Sequence, residues 1–500
     1  MSVCFPALFL NDFKLALPEI FLVSISILLL VYGVIFSTSR QKAYPILAGN
    51  LSRLALLTLG LTFVLVFNQP IHAGVFFYQS LILDDLSSFL KALILICSFI
   101  SIFISVDYLK QERLNSFEPV VLILISTASM LLMVSSYDFI SMYLAIELQS
   151  LSFYVLAASK RDSEFSTEAG IKYFLLGAFS SGLLLFGCSL IYGFTGLLHF
   201  EELAKLFSGI SELSSFNSSG ILLGILFLAV GFLFKLTAVP FHMWAPDVYE
   251  GSPNSITAFF LITPKIAILG LFVRLFLYSF YDFLFPWQTI LLISSIASMI
   301  LASLAAMAQK KIKRLLVYSA IGHVGYMLLG FSCGSLEGIQ ALFLYLVIYI
   351  VMTMNMFASL LSLRQQGQGL SLKYIGDLHQ LAKTNPLLSV TMSMNLFSIA
   401  GIPPLAGFCS KFYLFFAALS SSLYLGALIG VLTSVISCFY YIRLIKIIYF
   451  ESPKTWISYT RMDKEKSLVL AITSFFILFF FLYPSPLFLF THKIALSFLF

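Results

Sequence analysis

Four ionisable side chains interrupt long apolar stretches of this 500-residue chain, and they are the residues best suited to chemistry. They are one carboxylate, Glu147, and three amines, Lys235, Lys265 and Lys411. A charge near the middle of a bilayer costs at least about 2.5 kcal/mol, so such residues usually face a protein interior or water and carry a function. Titratable groups in successive apolar stretches predict a path for protons or ions rather than a pocket for a small molecule.

A buried amine and a buried carboxylate can control each other's protonation, because each stabilises the charged form of the other. If Glu147 faces Lys235, an approaching charge that separates the pair would let the lysine release its proton. Lys265 and Lys411 would pass protons onward through ordered water. His323, in the middle of another apolar stretch, is a further candidate because imidazole titrates near neutral pH.

Each of these residues also has a purely structural interpretation. Glu147 and Lys235 would then form a static buried ion pair that fixes helix packing. Lys265 and Lys411 would extend their stems to the membrane interface. His323 would be an ordinary packing histidine with a satisfied hydrogen bond.

The elements that hold these residues must be membrane helices. The chain is 60% hydrophobic and 10% charged, with a mean hydropathy of +0.99, whereas soluble domains are about 25% charged. Apolar runs of about 20 residues recur throughout, which excludes a soluble fold. Hydropathy predicts about fourteen helices, numbered here as predicted spans 1 to 14, at 16–36, 48–67, 86–106, 118–134, 137–158, 171–195, 220–244, 255–280, 287–308, 313–332, 338–363, 386–420, 422–450 and 467–490.

Prolines interrupt two of the predicted spans, and each interruption lies near a deep lysine. Val239-Pro240 falls near the end of span 7, close to Lys235, and Gly401-Ile-Pro-Pro404 interrupts span 12, close to Lys411. Paired broken helices in the two halves of a chain are typical of transporters built from inverted repeats. Chance recurrence of proline and lysine is the alternative.

The positions of the basic residues support this helix count. Most of the 29 lysines and arginines lie in loops after odd-numbered spans, which the positive-inside rule places on the matrix or cytoplasmic side. The run Lys310–Arg314 is interpreted as a topology anchor in one of these loops. Lys91 and Arg274 lie towards span ends on the opposite side, where long stems are expected to reach the interface.

Several function classes are excluded or disfavoured by composition. The net charge of +6 is scattered over short loops, which argues against nucleic-acid binding. The six cysteines include no C-x-x-C spacing and no accompanying histidine cluster, so iron–sulfur and zinc sites are not predicted. The first 17 residues resemble neither a cleavable signal nor an Arg-rich transit peptide. The chain is therefore expected to insert where it is made, in a bacterium or in an organelle that encodes it.

Four sequence strings resemble a known family. They are Phe234–Pro253 (FKLTAVPFHMWAPDVYEGSP), Ser398–Phe412 (SIAGIPPLAGFCSKF), Ala145–Leu151 (AIELQSL) and Lys313–Tyr326 (KRLLVYSAIGHVGY). The chain is similar through these strings to the chain 2 family of respiratory complex I, the NADH:ubiquinone oxidoreductase. That family is antiporter-like and related to subunits of Na⁺/H⁺ antiporters. Lys411, where the fourth chain of the complex typically has glutamate, and a chain that stops just after span 14 favour chain 2 over its sister chains.

The resemblance implies an all-α polytopic fold of about fourteen transmembrane helices with two inverted five-helix repeats. Spans 7 and 12 would be broken, and a hydrated polar axis would run at mid-membrane. The implied domains are 1–117 with spans 1–3, 118–285 and 286–450 with the two repeats, and 451–500 with the last loop and span. The family's key residues match Glu147, Lys235, Lys265 and Lys411.

The resemblance also implies a function: a proton-translocating core subunit that couples quinone reduction to pumping. No redox centre is expected in this chain; NADH, FMN, iron–sulfur clusters and ubiquinone would be bound elsewhere in the complex. The implied partners are other membrane-arm subunits, including antiporter-like neighbours, and lipids. Two alternatives stay open, a cation/H⁺ antiporter subunit and a structural subunit without its own proton path. The expected location is the mitochondrial inner membrane, ahead of a bacterial inner membrane and then a thylakoid.

Overall fold

The computed structural model of the protein is predominantly helical. It describes residues 12–36, 47–69, 74–112, 117–208, 218–365, 372–452, 459 and 462–497. The chain divides into two compact units. Unit 1 consists of Met1–Lys235 and Thr263–Leu284, and unit 2 consists of Leu236–Ile262 and Phe285–Phe500. One of the six cysteines, Cys4, and five of the basic loop residues, Arg40, Lys42, Arg113, Lys454 and Arg461, lie outside the described residues.

Unit 1 contains the first eight helices and a small β-hairpin. The hairpin pairs β1 (Gly74–Phe76) with β2 (Leu81–Leu83) in antiparallel register. The helices are α1 (Leu17–Phe36), α2 (Leu47–Phe67), α3 (Asp85–Gln111), α4 (Glu118–Ser135), α5 (Phe139–Ala157), α6 (Glu164–Thr195), the short α7 (Phe200–Ser208) and α8 (Ser218–Leu236). The helix α4 packs against α1, α3 and α5.

The helix α10 (Asn254–Val273) begins in unit 2 and continues in unit 1, where a π-helical turn, Arg274–Ser279, follows it. The remaining elements of the chain are α9 (Trp244–Gly251), α11 (Leu284–Met307), α12 (Ile312–Ser332), α13 (Leu336–Ser362), α14 (Leu381–Thr384), α15 (Pro386–Ala400), α16 (Ala406–Ser420), α17 (Tyr424–Tyr449), α18 (Lys464–Phe479) and α19 (Ser485–Leu496), with 3₁₀ turns at Tyr281–Phe283 and Ile375–Leu378. In unit 2 the long helix α13 is buried along nearly its whole length and packs against α12, α15, α16, α18 and α19.

Within the described ranges, twelve helices are long and apolar enough to cross a bilayer. Two shorter apolar helices, α15 and α16, together cover predicted span 12, and α18 overlaps predicted span 14. Large apolar side chains are exposed along the outer helices, as helices in contact with lipid require. The prediction of an all-α polytopic membrane protein is confirmed. The count of fourteen and the inverted repeats stay predictions.

The helix predicted at 220–244 is shorter than expected, because α8 ends at Leu236. Thr237 follows with a φ of 64°, a left-handed conformation that a β-branched residue rarely adopts and that cannot continue a helix. Pro240 then lacks the N–H that a helical turn would need. A separate short helix, α9, begins at Trp244. Span 7 is therefore interrupted beside Pro240, but its helix ends at Leu236, earlier than the predicted end at residue 244.

The second break falls where the sequence predicted it. The helix α15 ends at Ala400, and Gly401 caps it with a φ of 92°. Glycine suits this position because it has no Cβ to clash in the left-handed region. Pro403 and Pro404 follow, and α16 starts at Ala406.

Charged contacts tie α9 to the start of α12. Lys311 forms an ion pair with Glu250 near the end of α9, and Arg314 lies 3.3 Å from both Glu250 and Asp247. Lys313 donates to the carbonyl of Ser252 at 2.6 Å. The run Lys310–Arg314, interpreted from the sequence as a topology anchor, therefore also holds the short helix that follows the first break.

Candidate functional site

Glu147 lies near the middle of α5, a helix whose start is fixed by a side chain. Asp138 caps α5 by accepting a hydrogen bond from the Ser141 N–H at 2.6 Å, which satisfies one of the free donors of the first turn. Glu147 is half-buried, and its Oε2 accepts from the Ser150 hydroxyl at 3.4 Å. Its Oε1 is buried without a hydrogen-bond partner among the described residues.

Lys235 occupies the last turn of α8, immediately before the first break. Its Nζ is buried and has no hydrogen-bond partner within the described part of unit 1. Glu147 lies in the same unit, close enough to act on Lys235 electrostatically, but the two side chains do not form a direct ion pair. Glu147 and Lys235 therefore interact through space across a gap.

Lys265 lies in α10, a helix buried over its whole apolar stretch. Its side chain is 3% exposed. The preceding residue, Pro264, sits inside the helix and cannot donate to the carbonyl of Phe260 because it has no N–H. The third candidate is thus a buried amine beside a local defect in the helical hydrogen bonding.

Lys411 lies in α16 and contacts the end of α15 across the second break. Its Nζ donates to the carbonyls of Ile399 and Ala400 at 3.0 and 2.9 Å. The same Nζ lies 5.5 Å from the ring centroid of Tyr326 in α12. The side chain is 7% exposed.

His323 lies in the middle of α12 and is buried. Its Nδ1 is 2.7 Å from the hydroxyl of Tyr345 in α13, and the rings of Tyr326 and Tyr349 lie within 6.4 Å of the imidazole. The histidine therefore has a hydrogen-bonded neighbour that can either donate or accept a proton.

A small cavity of about 20 Å³ in unit 2, enough for about one water molecule, brings His323 and Lys411 to one space. Hydroxyl groups from three helices line it, which gives water several donors and acceptors. The sequence did not single out these lining residues for a role. They include Ser303, Ser319, Tyr326, Thr433, Ser437 and Tyr440.

Lys91 was expected from the sequence to reach the interface, but it does not. It is fully buried in α3, and its Nζ lies 2.5 Å from Oε1 of Glu19 in α1. Because the two residues are far apart in sequence, hydropathy could not reveal the pair. The signal that was present is a carboxylate and an amine, each in an otherwise apolar stretch of unit 1.

Arg274 is likewise buried rather than interfacial. Its guanidinium binds both carboxylate oxygens of Asp84 at 2.7 and 2.8 Å and donates to the carbonyl of Val134 at 2.7 Å. Asp84 also caps α3 by accepting from the Ser87 N–H. Arg274 therefore ties the π-helical turn after α10 to the starts and ends of neighbouring helices in unit 1.

The structure groups the predicted residues by unit. Glu147, Lys235 and Lys265 lie in unit 1, and His323 and Lys411 lie in unit 2. Among the described residues, no cluster of three or more histidine, cysteine or acidic side chains could hold a metal ion.

Residues 136–437 match the family described as NADH:quinone oxidoreductase/Mrp antiporter, TM. The chain is 62% identical to NADH-ubiquinone oxidoreductase chain 2 of Marchantia polymorpha, over 98% of this chain and 99% of the relative. It is 57% identical to the chain 2 of Arabidopsis thaliana, over 97% of each. NADH-quinone oxidoreductase subunit N of Paramagnetospirillum magneticum is 44% identical, over 95% of this chain and 96% of the relative.

Two solved structures share the fold. A chain of respiratory complex I from Thermus thermophilus aligns with a TM-score of 0.78 at 26% identity, over 94% of this chain and 98% of that chain. A chain of the Mrp complex from Dietzia sp. aligns with a TM-score of 0.79 at 19% identity, over 96% of this chain and 97% of that chain. The second match is a likeness of fold alone.

Proposed function

Because the chain belongs to the antiporter-like chain 2/subunit N family of NADH:quinone oxidoreductase, we propose that it moves protons through its own buried side chains. The carriers in this proposal are Glu147, Lys235, Lys265, His323 and Lys411. Quinone reduction elsewhere in the complex supplies the driving force, and this chain converts a rearrangement of charge into proton transfer.

The chain is a membrane-arm subunit of an enzyme complex. Its expected partners are the other membrane subunits of that complex, in agreement with its fold relatives. The expected location, as a multi-pass protein of the mitochondrial inner membrane, agrees with the higher identity to plant than to bacterial relatives. NADH, FMN, iron–sulfur clusters and ubiquinone belong to other subunits, since the matching family is that of a membrane-spanning antiporter-like chain.

One observation carries the proposal: two deep lysines lie at two helix breaks. Lys235 lies in the last turn of α8, just before the turn at Thr237, and Lys411 binds the end of α15. Broken backbone is tolerated within a membrane only where it is buried in protein or lines a water-filled space. The free backbone groups at such a break can bind a lysine directly, as they bind Lys411, or can bind water beside it, and both arrangements favour the uptake and release of a proton.

The gap between Glu147 and Lys235 supports a mobile role for this pair. The two groups interact electrostatically without contact, so a small displacement of either side chain changes the interaction substantially at low dielectric. A charge arriving near Glu147 would weaken the attraction between the Glu147 carboxylate and the Lys235 ammonium. Lys235 would then release its proton more readily. A static packing pair would instead be expected to make the direct contact seen between Lys91 and Glu19.

In unit 2 the carriers share a polar cavity. His323 and Lys411 both line this small space, together with serine, threonine and tyrosine hydroxyls. Hydroxyl groups and water can relay protons between an imidazole and an amine that do not touch. Lys265, the buried amine of α10, is the remaining proton carrier in this proposal.

We further propose the domain organisation that the sequence predicted. Residues 1–117 would form an N-terminal extension, 118–285 and 286–450 the two inverted repeats, and 451–500 the final loop and helix. The two breaks at 237–243 and 401–405 would occupy equivalent places in the two repeats.

The direct test is the substitution Lys235→Met in the assembled complex. Methionine keeps the length of the side chain and removes its charge, so quinone-linked proton pumping per assembled complex should fall at least about tenfold. Lys205→Met is the matched control, because Lys205 is 72% exposed and pairs with Glu201 on the surface. It should pump like the wild type. Normal pumping by Lys235→Met would favour the structural alternative instead.

A further inference from the structure

The helix end that faces Lys411 has a complete set of hydrogen bonds, and the lysine supplies part of it. The last four carbonyls of a helix lack partners within the helix. In α15 the carbonyls of Phe397 and Ser398 accept from the N–H groups of Gly401 and Ile402. The carbonyls of Ile399 and Ala400 accept from Lys411 Nζ. The ammonium therefore caps α15 from a different helix.

This end of α15 is electrostatically suited to a cation. Aligned peptide dipoles place about half a negative charge at the carboxyl end of a helix, concentrated on the free carbonyls. Lys411 forms no ion pair with a carboxylate within the described part of unit 2, and its hydrogen bonds go to these two carbonyls alone. Its counter-charge is thus a helix end, which does not titrate, whereas Lys235 has the titratable Glu147.

The ring of Tyr326 forms a second wall of the site. The face of an aromatic ring attracts a cation within about 6 Å, and Lys411 Nζ lies 5.5 Å from the centroid of Tyr326. The ring is itself held in place. The rings of Tyr326 and Phe415 pack edge to face with their centroids 6.0 Å apart, and the Tyr326 hydroxyl lies 3.3 Å from Oγ1 of Thr433.

Gly401 leaves room for the ammonium. A Cβ at residue 401 would lie 3.1 Å from Cδ and 3.2 Å from Nζ of Lys411. Glycine at this position therefore serves both the left-handed backbone and the approach of the lysine to the carbonyls.

We propose that the carboxyl end of α15 and the ring of Tyr326 form a fixed cation site that holds the Lys411 ammonium beside the cavity, with Tyr326 as a positioning residue. The proposal rests on the proposed function of Lys411 as a proton carrier and adds what determines its resting position. Since neither the carbonyls nor the ring can be neutralised, this site favours the charged form of the amine, and movement of the amine away from it favours loss of the proton. Release would then be coupled to movement of the side chain or of the break.

The test is a double-mutant cycle read as the rate of quinone-linked proton pumping per assembled complex. Tyr326→Leu should lower the rate about fivefold, which corresponds to about 1 kcal/mol of cation–π attraction. Tyr326→Phe keeps the ring and should retain most of the rate. Tyr326→Leu combined with Lys411→Met should be no slower than Lys411→Met alone, because the ring acts through the ammonium.

Two further variants separate positioning from packing. Phe412→Leu removes an exposed aromatic next to Lys411 in sequence that stacks on Phe408 instead, and it should leave pumping unchanged. Gly401→Ala places a Cβ against Cδ and Nζ of Lys411 and leaves the side chain of Tyr326 unchanged, and its loss of pumping beyond that of the strain control should also depend on Lys411. Gly334→Ala, at another glycine of positive φ, controls for backbone strain. If the Tyr326→Leu complex does not assemble, the proposal is tested by the pumping rates of Gly401→Ala with Lys411 present and with Lys411→Met.

The outcomes distinguish this proposal from the one on which it rests. Normal pumping by Lys411→Met would overturn the role of Lys411 as a carrier. A loss in Lys411→Met together with normal pumping by Tyr326→Leu and Gly401→Ala would overturn the cation site alone. Losses that multiply in the double variants would also overturn it, because the ring or the glycine would then act through packing.

Discussion

Lys91 and Glu19 form an ion pair inside unit 1, with Nζ 2.5 Å from Oε1 and both side chains shielded from solvent. The pair joins α3 to α1. It differs from Glu147 and Lys235, which interact without touching. The chain therefore contains both a close, buried ion pair and a separated one, and the two are expected to respond differently to substitution.

Lys91→Met should destabilise the protein without altering the pumping of complexes that do assemble. Breaking a buried ion pair leaves an uncompensated charge and costs about 3–5 kcal/mol. The double variant Glu19→Gln with Lys91→Met removes both charges and should recover most of that stability. The amount of assembled complex on a native gel, with its thermal midpoint, measures the effect. A single variant as stable as the wild type would show that the pair contributes nothing.

Arg274→Lys should be nearly as destabilising as Arg274→Met. One terminal nitrogen of the guanidinium binds both oxygens of Asp84 and the other donates to a backbone carbonyl, and the single nitrogen of an ammonium cannot occupy both positions. Both variants should lower the thermal midpoint of the assembled complex. Lys172→Met, at an exposed residue that pairs with Glu168, is the control and should not. Full stability of Arg274→Lys would mean that charge alone suffices at this position.

Tyr345→Phe should lower proton pumping about fivefold by removing the hydroxyl beside His323 Nδ1. A hydrogen bond of this kind contributes about 0.5–1.5 kcal/mol. His323→Phe should have the larger effect, since it removes the titrating group itself. Both are measured as pumping rate per assembled complex. Normal pumping by His323→Phe would support the packing interpretation of this histidine.

Stability near the end of α17 should depend weakly on pH through Glu451. The hydrogen bond from Lys446 at 3.1 Å holds the pKa of the Glu451 carboxyl below its ordinary value of 4.5. The ionised carboxylate therefore stabilises the fold above its unfolded pKa, and that contribution is lost as the pH falls through the lowered folded pKa. Because the pair is exposed, the effect is no more than about 1 kcal/mol.

The variant Glu451→Gln tests this pH dependence. It should have a slightly lower thermal midpoint than the wild type at pH 7, and the difference should disappear as the pH falls through the lowered folded pKa of Glu451, which lies below 4.5. A difference that persists unchanged in acid would assign the effect to packing rather than to the charge of Glu451.

The sequence located the candidate residues because a charge in an apolar stretch is visible without any structure. Glu147, Lys235, Lys265 and Lys411 each stand out in this way, and the prolines at 240 and 403–404 marked the breaks beside two of them. The end of α8 was placed too late, since a hydropathy window does not detect the left-handed backbone of Thr237.

Partners that depend on tertiary contact could not be predicted. Lys91 and Arg274 lie near the ends of apolar stretches, so the sequence suggested that they reach the interface, whereas Glu19 and Asp84 hold them inside. Tyr326 appeared in a recognised string but gave no sign of facing Lys411, because a tyrosine in a helix packs in many ways. Only the fold brings its ring to the ammonium.

The central claim is that Glu147 and Lys235 act together as proton carriers. The most direct test is the number of protons pumped per NADH oxidised by assembled complexes carrying Glu147→Gln, Lys235→Met or both substitutions. We predict that each single variant lowers this ratio and that the double variant lowers it no further, because the two groups work as one unit. An unchanged ratio in all three variants, with normal assembly, would contradict the account.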